Sequence, residues 1–417
     1  MATENKSPEI RFAGFTKNWE EKTFDTVFNF STGRNIKQNE ASPDFQTPCV
    51  RYGELYHMYN EVIDKVINRT DLDKADLNFS VGNEILLPSA GEDPLDIGSA
   101  SALTIPNVAI GRTINILSPK NDSDYSQIFA SYYINTKLRV KIASLAKGVS
   151  ISNVYNSDLR NLKINLPVLS EQNHIGDFLQ NLDKLIIIHK TQLTKLKNLK
   201  KAMLVKMFPQ EGATVPEIRF KGFDGEWENY QLGNIGNTFT GLSGKTKEDF
   251  GKGEARYIPY TNVFNNEVTD RNQLEKIEID NSQSTVNYGD VLFTTSSETP
   301  EEVGMSSVWL EKDENVYLNS FCFGYRFKEK VDNYFIAYYM RSQYFRENMK
   351  ILAQGISRFN ISKTKVMEID ILLPKETEQI KIGKYFTNLD NLILNHNEQL
   401  KKLNSIKKVC LSKMFVA

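Results

Sequence analysis

The chain has 417 residues, 40% of them hydrophobic and 25% charged, with a formal net charge of −1. That size and balance predict two or three domains with ordinary cores and disfavour a self-sufficient, strongly basic nucleic-acid binder. No apolar run approaches the roughly 18 residues that cross a bilayer, which argues against a membrane protein.

The first residues, MATENKSPEIRF, lack the apolar stretch of a secretory signal, so a cytoplasmic protein is expected. Cys49, Cys322 and Cys410 lie far apart and read as reduced, partly buried thiols. Four histidines, none at ligand spacing from a cysteine or another histidine, make a zinc site unexpected.

From Pro8 the chain writes a line that it later repeats. PEIRFAGFTKNWE (Pro8–Glu20) matches PEIRFKGFDGEWE (Pro216–Glu228) at nine of thirteen positions. Further pairs follow at an offset of about 207 residues: STG with FTG, YNEVID with NNEVTD, VGNEIL with YGDVLF, PLDIG with PEEVG, and LAKGVSISN with LAQGISRFN. Between them, short apolar runs such as EILLPSA and DVLFTTSS, bounded by Gly, Asn, Asp and Pro, predict strands and turns. A helical patch, SQIFASYYINTKLRVKIASLAKG or NYFIAYYMRSQYFRENMKILAQG, then ends on a glycine cap.

Each copy closes on a long helix. In 165–208 and 372–415 a Leu-Pro blocks helix upstream, Ser170 or Thr377 stands where an N-cap is expected, and Glu171 or Glu378 suits the helix dipole. Apolar residues recur at spacings of four and three: Ile175, Leu179, Leu182, Ile186, then His189, Leu193, Leu196, Met203. The second copy gives Ile382, Phe386, Leu389, Ile393, then His396, Leu400, Leu403, Cys410. Such a seam predicts two paired coiled-coil rods, each of about 38 residues and about 57 Å. Residues 171–208 and 378–415 each carry seven lysines against three acids, which suits either a solvated face or an acidic contact.

The expected architecture is therefore α+β, with two globules joined by two long antiparallel coiled-coil helices in a pseudo-two-fold repeat. The boundaries read as 1–167 and 209–374 for the globules, 168–208 and 375–417 for the helices. In an antiparallel pair only midpoint residues face their duplicates. His189 and His396 are therefore expected to set helix–helix register, with a pH switch as the second reading.

Chemistry is sought and mostly excluded. GLSGKT lacks the first glycine of a Walker A loop, because position 239 is Phe, so no NTPase is expected. The loop instead presents Lys245 and Lys247, as its counterpart presents Arg34 and Lys37. No G-x-S-x-G elbow, D-P-P-Y or N-P-P-Y occurs. The acids of GEDPLD and SSETPEE read as solvated loop carboxylates, with no arrangement expected to recur between copies. No catalytic, cofactor or metal residue is expected.

The ordered set resembles the specificity subunit of type I restriction–modification systems, over essentially the whole chain. It is carried by the duplicated EQ…I segments (Glu171–Ile175, Glu378–Ile382), their LD.LI continuations (Leu182–Ile186, Leu389–Ile393) and the G.S..N turns (Gly148–Asn153, Gly355–Asn360). The resemblance implies that the globules are target-recognition domains, each reading half of a bipartite double-stranded DNA target, with the helices as spacers. It implies a non-catalytic chain without cofactor. Its partners would be two adenine-N6 methyltransferase subunits using S-adenosylmethionine and two ATP- and Mg²⁺-dependent translocase–nuclease subunits. Half-sites about 34–36 Å apart would lie on one DNA face.

By side-chain chemistry the candidate DNA contacts are Arg34, Lys37, Arg51 and Tyr52 in the first copy. In the second they are Lys245, Lys247, Arg256, Tyr257, Ser357, Arg358 and Asn360. Arg51-Tyr52 aligns with Arg256-Tyr257, which suits a shared framework as well as a reading role. A duplicated coiled-coil scaffold binding only proteins, and a stand-alone nuclease, are the rival readings.

Overall fold

The computed structural model describes residues 7–121, 124–148 and 150–416. The chain forms two compact units, Met1–Lys190 with Glu398–Ala417, and Thr191–Asn397.

The first unit carries a five-stranded sheet in the order Phe28–Thr32, Ile114–Pro119, Glu84–Pro88, Ser101–Leu103, Val62–Ile63. Around it are a three-stranded sheet centred on Thr47–Val50 and two strand pairs, Glu20–Thr23 with Lys163–Leu166 and Ala90–Gly91 with Ser152–Asn153. The second unit repeats the plan. Its main sheet runs Gly236–Thr240, Cys322–Phe327, Val291–Thr294, Ser306–Val308, with Val268 bridging in parallel to Val308 at the edge. Its three-stranded sheet centres on Phe250–Ile258, and its pairs are Glu228–Gln231 with Asp370–Leu373 and Ser296–Ser297 with Phe359–Asn360. The α+β expectation holds.

The two long helices, Leu169–Lys206 and Glu376–Lys413, each have 38 residues. At 1.5 Å rise each is about 57 Å long. In each unit the first half of one helix packs beside the second half of the other, the antiparallel arrangement that the seams predict. Ile175, Leu179 and Leu182 share a core with Cys410, Met414 and Phe415. In the second unit Met207 and Phe208 share one with Ile382, Phe386 and Leu389.

The helix starts differ from expectation. Ser170 and Thr377 lie inside the first turn, and Val168 and Lys375 precede it. The side chains of Gln172 and Gln379 tie each helix start to its globule. Each donates to a proline carbonyl (Pro167 or Pro374, both 2.8 Å) and accepts a backbone N–H, from Ser126 at 3.0 Å or Asp332 at 2.9 Å. These bonds satisfy a carbonyl and an N–H that flank the helix start and would otherwise be buried without a partner. The three cysteines are free and buried.

Candidate nucleic-acid interface

The residues repeated between the two copies build a frame that joins each globule to the long helices. In the opening stretch, Arg11 grips Glu171 through two nitrogens, each at 2.7 Å, and gives a further bond to the Lys17 carbonyl. Arg219 grips Glu378 with the same two 2.7 Å bonds and donates to the carbonyl of Gly225. The carboxylates are 0% and 1% exposed, so each depends on its arginine to avoid a bare buried charge. Hydrogen bonding to Glu378 raises the Arg219 guanidinium above its usual value. The Trp19 ring nitrogen also lies 3.4 Å from Glu171.

The LD motif makes the second joint. Tyr132 donates its hydroxyl to Asp183 at 2.6 Å, and Tyr338 does the same to Asp390. Burial, reinforced by those aspartates, pushes both phenols well above their ordinary range. A lysine from the opposite helix completes each cluster: Lys407 lies 2.6 Å from Asp183, and Lys200 lies 2.7 Å from Asp390 and 2.9 Å from Glu267. Gly176 and Gly383 let the globule's helical patch approach. A Cβ on Gly383 would fall 2.7 Å from the Phe335 nitrogen.

The G.S..N turns are tight loops closed at their necks by reciprocal backbone bonds. Lys147 and Asn153 exchange bonds of 2.9 and 2.8 Å, and Gln354 and Asn360 exchange bonds of 3.0 and 2.9 Å. Gly148 and Gly355 adopt φ of +127° and +146°, and a Cβ there would strike the carbonyl of Ile151 or Arg358 at about 2 Å. In the second unit the loop holds Ile356, 98% exposed, with Ser357 and Arg358 also outside.

The strand ladders fix which residues of the two copies correspond. Val50 pairs in parallel with Ile110, and Ile258 pairs in parallel with Leu318. Tyr52 is therefore the counterpart of Tyr260, which likewise opens a six-residue helix, and the alignment of Arg51-Tyr52 with Arg256-Tyr257 was three residues out. The error arose because the Arg-Tyr dipeptide happens to recur at 256–257, whereas the spacing from Gly33 to Tyr52 is the same as that from Gly241 to Tyr260.

The expected contacts occupy varied environments. Arg34, Lys37, Tyr52, Lys247, Ser357, Arg358 and Asn360 are exposed. Arg51 is held 2.7 Å from the buried Glu54, and Lys245 is held 2.6 Å from Asp280. Arg256 bonds the carbonyls of Glu254 and Ala255. Tyr257 is buried, its hydroxyl bonded to Glu275. His189 and His396 are half-buried on their helices.

The acids do recur, contrary to expectation. Ala90–Gly91 pairs with Ser152–Asn153 as Ser296–Ser297 pairs with Phe359–Asn360, which equates Glu92 with Glu298. Asp96 and Glu302 then fall at matching places in the turns that follow. In the second unit these residues border a pocket of about 320 Å³. Only the long-range pairing brings them into correspondence, so no local sequence signal marks them. Among the described residues no His, Cys, Asp or Glu group is arranged to hold a metal ion. Likewise, no helix among them is long and apolar enough to cross a membrane.

Comparison with known proteins agrees with this two-fold plan. Residues 16–198 and 224–405 match the model of the type I restriction modification DNA specificity domain. The chain is 26% identical to the type I restriction enzyme MjaVIII specificity subunit of Methanocaldococcus jannaschii, covering 68% of this chain and 69% of the relative. It is 21% identical to the EcoKI specificity subunit of Escherichia coli, covering 95% and 88%. The solved S subunit of a type I restriction–modification system from M. genitalium shares the fold, with a TM-score of 0.60, 18% identity, and coverage of 98% and 99%. With two domain matches that span most of its length, the chain belongs to the type I restriction modification DNA specificity family.

Proposed function

We propose that each unit reads one half of a bipartite DNA target, with residues 1–167 and 209–374 as reading heads and the helices 168–208 and 375–417 as the spacer. The observation that carries this reading is the duplication of the frame (Arg11–Glu171 with Arg219–Glu378, Tyr132–Asp183 with Tyr338–Asp390) around loops whose exposed side chains differ. A scaffold that bound the same protein twice would have no use for that divergence.

The helices also dock the catalytic partners. Leu185 and Ile187 are exposed on the first helix, and their counterparts Leu392 and Leu394 are exposed on the second. Apolar residues exposed at equivalent places suit one kind of partner bound twice. On this reading two methyltransferase subunits supply S-adenosylmethionine chemistry, and two translocase–nuclease subunits supply ATP- and Mg²⁺-dependent chemistry. The chain itself is non-catalytic and works in the cytoplasm. His189 and His396, each half-buried on its own helix, are proposed to set helix register. Among the exposed candidates, Arg34, Lys37 and Lys247 suit backbone phosphates.

Methylome sequencing of the host with and without this gene tests the proposal. Loss of one bipartite modified motif is expected. An unchanged methylome, or loss of a single undivided motif, overturns it.

A further inference from the structure

We infer that the pocket beside the loop 354–360 is the base-reading site of the second unit, and that Arg358 contacts a guanine there. The inference rests on the DNA-reading function proposed above and names the residues that carry it.

The back wall is aromatic and rigid. Tyr260 and Phe264 stack with centroids 5.8 Å apart at 20°, and the Tyr260 hydroxyl donates to the Ser296 carbonyl at 2.6 Å. One rim is Phe321, whose carbonyl accepts from the Thr295 backbone at 2.9 Å and its hydroxyl at 2.8 Å, while 58% of the residue stays exposed. The other rim is the glycine-tightened loop that carries Arg358. Glu298 and Glu302 close the pocket.

The charges decide the ligand. Two carboxylates against one guanidinium repel a phosphate, so this is not a backbone cradle. Among the described residues Arg358 and Glu298 have no ion pair, and both are exposed. In the major groove a guanine offers two acceptors, O6 and N7, to an arginine, and its paired cytosine offers an amine to a carboxylate. The pocket presents both complements side by side, with an aromatic surface behind them.

The first unit shows which parts are frame and which are readers. Tyr52 and Tyr56 take the aromatic places, with centroids 6.4 Å apart, and Glu92 and Asp96 take the acidic ones. Burial first, and then Tyr52, Asp96 and Glu92, raise the Tyr56 phenol. The exposed rims differ. Ile151 stands where the second unit has Arg358, because each provides the carbonyl that faces its loop glycine. Thr113 stands where the second unit has Phe321, because their carbonyls accept from Ser89 and Thr295 at 2.9 Å each. A protein partner common to both units would meet one set of rim side chains. Two different half-sites call for two sets. The first unit, with its acids and with Ile151 in the place of Arg358, is suited to an A·T pair, whose amine and thymine methyl match that chemistry.

The test uses the full chain in complex with its methyltransferase, on duplexes carrying the modified motif with each position replaced in turn. The wild type is expected to prefer G·C at one position of one half-site by about 10- to 100-fold. Arg358→Ala should bind all four base pairs there alike and keep every preference in the other half-site, with an unchanged melting temperature. Glu298→Gln should weaken the same position only. Retained preference in Arg358→Ala overturns the inference. So does a uniform loss across all sequences, which assigns Arg358 to phosphates, and so does a lowered melting temperature, which makes it structural. If deleting the gene leaves the methylome unchanged, the DNA-reading function fails instead. If deletion removes the motif but Arg358→Ala changes no base preference, only the pocket assignment fails.

Discussion

Lys407 holds its ammonium 2.6 Å from the carboxylate of Asp183, joining the closing turns of the second long helix to the opening half of the first. Asp183 is also the acceptor for Tyr132, so one carboxylate links two helices and a globule. Replacing Lys407 with Met keeps the aliphatic stem and removes the charge. The expected cost is about 1.5–3 kcal/mol, the usual worth of a charged hydrogen bond. Hydrogen exchange should show faster opening of amides in 398–413, and unchanged protection there would contradict the assignment.

Arg11 and Arg219 each shield a carboxylate that is almost wholly out of solvent. Arg11→Ala or Arg219→Ala leaves that charge unpaired, and removal of one member of a buried pair costs about 3–5 kcal/mol. Arg11→Ala combined with Glu171→Gln should recover part of the loss, because a neutral amide tolerates burial better. Urea midpoints of the two variants check this, and equal midpoints would sink it.

Glu267 provides the pH test. Burial pushes its carboxyl up, but Lys200 and Arg341 outweigh burial and hold it below the ordinary carboxylate range. A carboxylate depressed in the folded state stabilises the fold above its unfolded pKa of about 4.3 and loses that contribution as pH falls through the folded value. Glu267→Gln is therefore expected to melt about 2–4 °C below wild type at pH 7, the shift that follows from about 1 kcal/mol in a unit of this size. The two melting curves should draw together as pH falls below about 4.3. A gap that stays constant with pH would show that packing, not charge, accounts for the loss.

Residues 9 and 10 meet Lys413. Ile10 donates its backbone N–H to the Lys413 carbonyl at 3.0 Å, and Lys413 reaches Glu9 at 2.8 Å. The internal junction repeats this, with Ile218 bonded to the Lys206 carbonyl at 2.8 Å and Lys206 2.6 Å from Glu217. A permutant with joined ends and new termini before Pro216 is expected to fold and to support modification of the same DNA motif. Failure to assemble, with the linker long enough to span the junction, would count against equivalence of the two junctions.

The frame was legible in the sequence because each repeated residue meets the same demand twice. Arg11 and Arg219 must cover an acid, Phe208 and Phe415 must fill a globule's core, and the seam residues must pack one helix on another. The reading heads were less legible. Their strands are as short as two residues, and their register is fixed by partners such as Ile110 and Leu318, some 60 positions along the chain. That is why the Tyr52–Tyr260 correspondence was missed and the matching acids Glu92 and Glu298 passed as solvated loops. Tyr257 was chosen for its residue type, yet it is buried, and only the ladder around it reveals which side of the strand it occupies.

One feature of the first unit constrains how the protein is made. Residues 398–417 belong to it, and Cys410, Met414 and Phe415 sit in its core beside Trp19 and Phe129. On the ribosome, the first unit waits for the final residues of the chain, a delay of roughly 10–40 s at ordinary elongation rates. Throughout that interval the pocket for Phe415 stands open to solvent, whereas the second unit can close as soon as its own helix emerges. A product that stops soon after Asn397 thus carries a finished second head and an unfinished first one. In this chain the half that is translated first is the half that matures last.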